Sequence, residues 1–305
     1  MPRSRVAPHT AADVIRKVAG RFQRARLHYG HGTGTARDEA AWLVGHVLRV
    51  APERLAARLD KPVIPSRLKI IDALARERIG TRKPLAYLLK EAWFAGRPYF
   101  VDERVLVPRS LTGEFILERF HPWIDARRVR RILDLGTGSG CMAIACARAF
   151  PKARVDAADV AAEALAVART NIRRHRLGRR VQALRSDLFQ ALKGKRYDVI
   201  VTNPPYVARA EMKSLPREYR HEPELALVSG RDGLDAITRI LAQAADHLTF
   251  GGILVGEVGN SAAALQNKFP SVPFVWLTSS TGDECVFLLT AEELQRHHAA
   301  FTRGG

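Results

Sequence analysis

The sequence predicts two domains: a small helical one, followed by a larger α/β domain built on a doubly wound, mostly parallel sheet. Three observations predict this. From Ala11 to Arg82 apolar residues recur at helical spacing. Beyond Pro108, short apolar runs alternate with helix-length segments, the pattern of strands joined by crossover helices. A chain of 305 residues is also long enough for one large core and a second, smaller one.

In the first domain, placed at residues 1–91, Ala41, Val44 and Leu48, then Leu68, Ile71, Leu74 and Ala75, mark buried helix faces, with Pro52, Pro62 and Pro65 as breaks. Tyr29-Gly30-His31-Gly32-Thr33-Gly34 reads as a loop that leaves His31 at the surface, and Thr35 to Asp38 as a helix start. Residues 92–107 read as a strand-turn-strand connector. Trp93 and Phe94 precede a turn at Gly96 to Pro98, and Tyr99, Phe100 and Val101 follow it. Residues 108–305 form the α/β domain, with seven candidate strands at 131–135, 154–158, 181–185, 198–202, 252–257, 273–277 and 285–289.

No apolar run reaches the about 18 residues of a membrane helix, and Met1 to Thr10 lacks the apolar core of a secretion signal, so the expectation is a cytoplasmic protein with no membrane partner. Cys141, Cys146 and Cys285 show no metal spacing; they are expected to be small buried apolar residues, and no metal is expected. The formal charge of +18 points toward a polyanion, although only 10 of the 49 basic residues are lysine, as an arginine-rich coding bias alone would give. The longest basic stretches, Arg127-Arg128 with Arg130-Arg131 and Arg173-Arg174 with Arg179-Arg180, flank strands and helix ends. Neither is interleaved with aromatics along the chain.

Chemistry enters at Asn203-Pro204-Pro205-Tyr206, where the apolar run ending in Thr202 gives way to a loop. An amide or exocyclic amino nitrogen is a poor nucleophile because its lone pair is delocalised. An enzyme that alkylates one must grip its N–H groups with acceptors and offer no competing donor. Asn203 supplies a side-chain oxygen and Pro204 a carbonyl with no N–H, while each proline biases its predecessor toward an extended backbone. Tyr206 adds an aromatic face for packing or for a positive sulfonium.

A cofactor site is expected at neighbouring strand ends. Asp134 precedes the loop Gly136-Thr137-Gly138-Ser139-Gly140. The pattern is G-x-G-x-G behind an acid, unlike the G-x-G-x-x-G of dinucleotide sites, and it suits S-adenosylmethionine, whose amino-acid end carries an ammonium for Asp134. Asp159 ends the second strand, where an acid accepts from ribose hydroxyls. Asp187 follows the third, positioned for an adenine amino group, with Leu188 and Phe189 covering the ring. Ligands of open α/β sheets bind beyond the carboxyl ends of the strands, where all of these and Asn203 fall.

With Pro84-Leu85-Ala86-Tyr87, Val107-Pro108-Arg109 and Glu257-Val258-Gly259 added, the chain resembles the HemK-like protein-glutamine methyltransferases from about Tyr29 to Leu294. Within them it is most similar to the branch acting on large-subunit ribosomal protein L three. The release-factor branch usually carries Arg-Pro-Glu-Thr-Glu where this chain has Arg109-Ser110. The segments Tyr29 to Thr33, Asp38 to Ala40 and Leu215 to Pro223 also resemble the ribosomal branch. That branch commonly continues Arg-Ser-Pro-Ile, whereas Leu111 and Thr112 follow here.

The resemblance implies a Rossmann-like methyltransferase domain and transfer of a methyl group from S-adenosylmethionine to a glutamine side-chain nitrogen of that ribosomal protein. A contact with ribosomal RNA in an assembly particle would be an additional interaction. It implies that Asn203 and Pro204 hold the substrate amide and that Asn203 also borders the cofactor. Tyr206 and Phe100 wall the glutamine slot, with Pro205 beside them. Glu257, ending the next strand, either assists there or stands as a satisfied strand-end carboxylate. The polar stretch 207–231 is long enough to cover a substrate peptide, with the helical domain recognising the rest of the protein. A release-factor glutamine methyltransferase, an amino-methyltransferase acting on DNA or RNA bases, which shares the Asn-Pro-Pro-Tyr tetrad, and a ribosome-assembly factor that only binds S-adenosylmethionine remain open at this point.

Overall fold

Residues 9–303 of the chain are described in the computed structural model. The expectation for Met1 to Thr10, and the outer ends of the first and last domain ranges, fall wholly or partly outside them.

Residues up to Glu91, together with Pro216–His221, form one compact unit. Its helices are α1 (Ala11–Arg24), α2 (Ala36–Leu48), α3 (Pro52–Leu55), α4 (Pro65–Thr81) and α5 (Leu85–Leu89). A capping box starts α1: the Thr10 hydroxyl accepts from Asp13 N at 3.2 Å and the Asp13 carboxylate accepts from Thr10 N at 3.2 Å. Thr35 caps α2 by accepting from Asp38 N at 3.1 Å. Pro52 and Pro65 occupy the first turns of α3 and α4, where a missing N–H costs no helix bond, so they begin helices as well as interrupt the preceding pattern. Val14, Val18 and Phe22 pack with Leu43, Val44, Ile71 and Ala75 in one apolar cluster.

His31 departs from the surface position expected for it: it is buried, with its ring 4.6 Å from that of Tyr219. The reason is a fold-back that local sequence cannot announce. Arg78 is fully buried; its Nε donates to Glu39 at 2.8 Å, and its Nη1 reaches Glu218 at 3.5 Å. Glu218 also accepts from His28 N at 3.0 Å and from Arg82 at 3.4 Å. Burial raises the Glu39 pKa, and the Arg78 charge pulls it back down.

The second unit holds Ala92–Leu215 and residues from Glu222 on. The strands β1 (Ala92–Phe94) and β2 (Arg97–Tyr99) make an antiparallel hairpin that belongs to this unit rather than forming a separate connector. After α6 (Thr112–Leu117), the main sheet and its helices follow: β3 (Arg131–Leu135), α7 (Cys141–Ala149), β4 (Arg154–Asp159), α8 (Ala162–Arg174), β5 (Val181–Arg185), β6 (Tyr197–Thr202), α9 (Asp235–Ala244), β7 (Leu248–Glu257), α10 (Ala262–Lys268), β8 (Val275–Leu277), β9 (Val286–Thr290), α11 (Ala291–Arg296) and α12 (His298–Arg303).

The strand order is β5-β4-β3-β6-β7-β9-β8, parallel through β7, with β9 antiparallel to both its neighbours. All seven expected strands are present. β7 begins earlier than expected, at Leu248, because that residue pairs with Tyr197 ahead of a bulge. β8 starts after Pro273, which has no N–H for a ladder.

Both sheet faces are buried, so the strands read as apolar runs with the pleat sorting alternate residues. Ile132, Val199, Val201, Ile253 and Val255 face α7. Leu133, Leu135, Ile200 and Leu254 share the other cluster with Ile237, Leu241, Leu265 and Leu294. The order reverses between β3 and β6, the switch point where such sheets open a crevice.

Candidate active site

At that switch point lies a cavity of about 340 Å³, inside the size range of small-molecule sites. Its floor is the carboxyl ends of β3, β4 and β6. Gly136, Thr137, Gly138 and Ser139 line it, as do Asp159, Asp187, Leu188, Asn203, Pro204 and Pro205.

The glycine loop is held by its neighbour strand. Gly136 N and Thr137 N each donate to Ala158 O at 2.9 Å, and Gly138 N donates to Asp159 Oδ2 at 2.8 Å. Gly138 sits at φ +52°, and a Cβ there would meet no atom within 4 Å, so the backbone edge is open to a ligand. Gly140 is different. It lies outside the cavity wall at φ +80°, and a Cβ would come 3.2 Å from Ala168 Cβ, so its role is close packing of α7 on α8.

Asp134 also departs from expectation. The pleat turns it to the α7 face, where it is fully buried; Oδ2 accepts from Thr137 Oγ1 at 2.5 Å and from Ala143 N at 2.9 Å. It orders the loop from beneath and does not line the cavity. Its Oδ1 has no hydrogen-bond partner, and burial pushes its pKa up to about 7. Asp159 does line the cavity; Oδ1 accepts from Ala161 N at 2.9 Å, and burial raises its pKa against the pull of these backbone bonds.

Asp187 accepts from Arg239 at 2.9 Å on the cavity rim. Leu188 sits beside it at φ +47°, its carbonyl held by the Ser186 hydroxyl at 2.6 Å. Phe189 covers no ligand space: it is buried in the core and stacked on His247 at 4.5 Å.

Asn203 has its side-chain polarity fixed from outside the loop. Nδ2 donates to Glu257 Oε1 at 3.2 Å, and Oδ1, facing away from that bond, is buried without a hydrogen-bond partner. Glu257 is 5% exposed, and its other oxygen accepts from Ser110 Oγ at 2.6 Å and from Thr112 N and Oγ1 at 3.3 Å each. Glu257 is thus a satisfied strand-end carboxylate, and one of its bonds holds Asn203. Burial raises its pKa, and the Ser110 and Thr112 bonds oppose the rise.

Phe100 and Tyr206 are not among the cavity-lining residues. The backbone of Phe100 is clamped by Asn171, which accepts from its N at 2.7 Å and donates to its O at 2.9 Å, and Arg174 stands 4.8 Å from its ring centroid. The Tyr206 ring lies over Gly259, where a Cβ would approach it to 2.5 Å, and its carbonyl accepts from Ser261 Oγ at 2.9 Å.

Met142, Val160 and Arg239, which carry no sequence signal, also line the site, as does Ser110, and Pro223, Leu225, Ala226 and Val228 of the long polar stretch 207–231 form a wall. Glu222 anchors that wall: it accepts from Val107 N at 2.9 Å and takes the Arg109 guanidinium in two bonds of 2.6 and 2.9 Å. Among the described residues there is no group of His, Cys, Asp or Glu that could hold a metal, and no helix is long and apolar enough to cross a membrane. Cys141 and Cys146 are buried on α7, while Cys285 is only partly so.

Comparison with known proteins adds family information. The Methyltransferase small domain profile matches residues 114–218, and the PrmC N-terminal domain profile matches residues 23–89. A ribosomal protein uL3 glutamine methyltransferase of Francisella tularensis subsp. tularensis is 43% identical over 301 residues, covering 97% of this chain and 94% of that protein. One of Bordetella pertussis is 46% identical over 287 residues, covering 93% and 96%. Among solved structures, the hMettl16 catalytic domain in complex with MAT2A 3′UTR hairpin 1 superposes with a TM-score of 0.50 at 18% identity, covering 82% of this chain and 89% of that one, a likeness of fold.

Proposed function

The chain belongs to the ribosomal protein uL3 glutamine methyltransferase family, and from that premise we propose that it methylates the side-chain nitrogen of a glutamine in ribosomal protein uL3, with S-adenosylmethionine as donor. The observation that carries the reading is the orphaned Asn203 Oδ1, a buried acceptor at the cavity with its partner Nδ2 already committed. A buried acceptor left unmade is costly, and a carboxamide N–H of a substrate is the group that satisfies it.

Asn203 Oδ1 and the Pro204 carbonyl accept the two hydrogens of the glutamine NH2, and Pro204, having no N–H, presents nothing to repel them. Held this way, the nitrogen lone pair points out of the amide plane toward the cavity. Bound S-adenosylmethionine supplies the electrophilic methyl carbon. Glycines 136 and 138, Thr137 and Ser139 would border its amino-acid end, Asp159 would accept from its ribose hydroxyls, and Asp187 and Leu188 would flank its base, with Val160, exposed on the same rim, as apolar cover. Orientation is the main catalytic device, because in-line placement at near-contact distance removes several kcal/mol of barrier. No strong base is needed, since the nitrogen loses its proton after it has become positive. The two oxygens stabilise the developing charge.

Glu257 is a positioning residue in this scheme: it holds Asn203 with its oxygen toward the substrate. The wall from Pro223 to Val228 covers the peptide carrying the glutamine. Leu225, 61% exposed, offers that peptide an apolar surface. We assign the enzyme to the cytoplasm, where ribosomal proteins are made, and substrate-protein recognition to the helical unit.

The test is incubation with methyl-labelled donor and, separately, purified uL3, a release factor, and nucleic acid, with the modified atom located by mass spectrometry. Label on a uL3 glutamine supports the reading, and label on nucleic acid or on the release factor alone sinks it. Asn203→Ala should abolish transfer while leaving donor affinity within a few-fold.

A further inference from the structure

The edge of the main sheet opposite the cavity assembles what the linear sequence keeps apart. Arg131 and Arg154 are register partners at the entrances of β3 and β4, and Arg154 N donates to Arg130 O at 2.8 Å. Arg179 precedes the entrance of β5, and Arg196 that of β6. All five side chains belong to exposed residues. Two of the acids that border them are already engaged. Asp198 accepts from Arg130 N and Arg131 N at 2.7 and 2.9 Å, and Asp156 takes Lys195 and the Tyr197 hydroxyl at 2.8 Å each. Asp246 stands exposed in the turn leading into β7.

At the end of this row, next to β6, the bulge of β7 presents Phe250, which is 97% exposed. The two residues before it are held in place. Thr249 Oγ1 donates to Asp198 Oδ1 at 3.0 Å, the carboxylate that holds Arg130 and Arg131, and Arg196 Nη1 donates to Leu248 O at 2.8 Å. A ring left almost wholly in water gains nothing from burial and so adds little to the stability of the fold, which leaves its face free for a partner.

We infer that this edge binds single-stranded RNA, with the arginines on successive phosphates and an unpaired base stacked on Phe250. Two features select that partner. The strands that carry these arginines lie about 4.8 Å apart, so their long side chains line one edge that a flexible phosphate chain can run along. The lone exposed ring suits an unstacked base, which a duplex does not offer. Arginine also clasps phosphate in a fork and stacks on bases. The surface uses none of the cavity residues and lies about 20 Å from Asn203 along β6. A protein substrate still attached to RNA would thereby be held at two places at once.

The experiment is fluorescence anisotropy of the full chain with oligouridylate, with duplex RNA and with polyglutamate, over a range of salt. Oligouridylate is expected to bind more tightly than either. Phe250→Ala should weaken it about tenfold, the range of one base–aromatic stack, and Phe250→Trp should restore it. Arg131→Glu with Arg154→Glu should weaken it further and flatten the salt dependence by about 0.7 for each phosphate no longer neutralised. Phe250 is almost wholly exposed, so its replacement leaves the fold intact, which a thermal melt checks, and methylation of free protein substrate should be unchanged in every variant. Equal binding of duplex RNA or polyglutamate, or wild-type affinity in Phe250→Ala, overturns the assignment.

Discussion

Glu257→Gln tests the orientation of Asn203 with almost no change in shape. In the native site one Glu257 oxygen receives three donors, from Ser110 and Thr112, and the other receives Asn203 Nδ2. A glutamine keeps its single oxygen on the three-donor side and turns its NH2 toward Asn203. Two NH2 groups then face each other, and Asn203 escapes by rotating, which points a donor at the substrate in place of an acceptor. The lost hydrogen bond is about 1 kcal/mol, and donor opposed to donor adds about 1–3 kcal/mol, so kcat should fall by about 30- to 1000-fold. KM for S-adenosylmethionine should stay within a few-fold, since Glu257 touches none of the glycine-loop residues. The assay is steady-state transfer of labelled methyl to the protein substrate, with the melting temperature as control. In an Asn203→Ala background the same change should add little, because its effect passes through Asn203. Near-native kcat in Glu257→Gln, or full additivity with Asn203→Ala, would refute the reasoning. The native enzyme should also lose kcat as pH falls through the raised Glu257 pKa, since a protonated carboxyl no longer enforces the orientation; the glutamine variant lacks this acid limb.

Other outcomes follow from single observations. Asp159→Ala releases Gly138 N and Ala161 N and removes an acceptor at the cavity, so calorimetry should show donor affinity weakened by about tenfold or more. Asp134 binds its proton more tightly folded than unfolded, so its contribution to stability is best below the ordinary carboxylate pKa and is lost as pH rises to about 7; Asp134→Asn should have a melting temperature that changes less over that window. Arg109→Met leaves the Glu222 carboxylate buried without its bidentate partner and should cost about 3–5 kcal/mol by urea unfolding, with much of it recovered when Glu222→Gln is added. Thr112→Ile restores the residue common in the ribosomal branch, removes one of three donors to Glu257 and retains the backbone one, so kcat should change by less than about tenfold.

Much of this was legible in the sequence because strand-end position carries direction. The pleat and the parallel register bring every β3, β4, β5 and β6 terminus to one edge, so Gly138, Asp159, Asp187 and Asn203 converge once the strands are recognised. Asp134 shows the limit of that rule: one residue short of the strand end, it belongs to the face under α7 and serves the loop from below. Phe100 and Tyr206 show another. An aromatic next to a motif has no stated direction, and here Asn171 fixes one while Gly259 receives the other. Glu257 and Ser110 lie 147 positions apart, and Glu218 and Arg78 lie 140 apart. Bonds of that separation leave no periodicity to read, which is why the Asn203 support and the burial of His31 emerge only from the fold.

The membership of Pro216–His221 in the helical unit bears on how such proteins can be recombined. A chimaera that exchanged only the chain up to Glu91 would import a new Arg78 equivalent while keeping a foreign Glu218, separating charges that pair in this fold. Exchanging the helical unit whole between relatives therefore calls for transplanting two separate stretches, the amino-terminal segment and a hexapeptide from the middle of the larger unit's longest excursion.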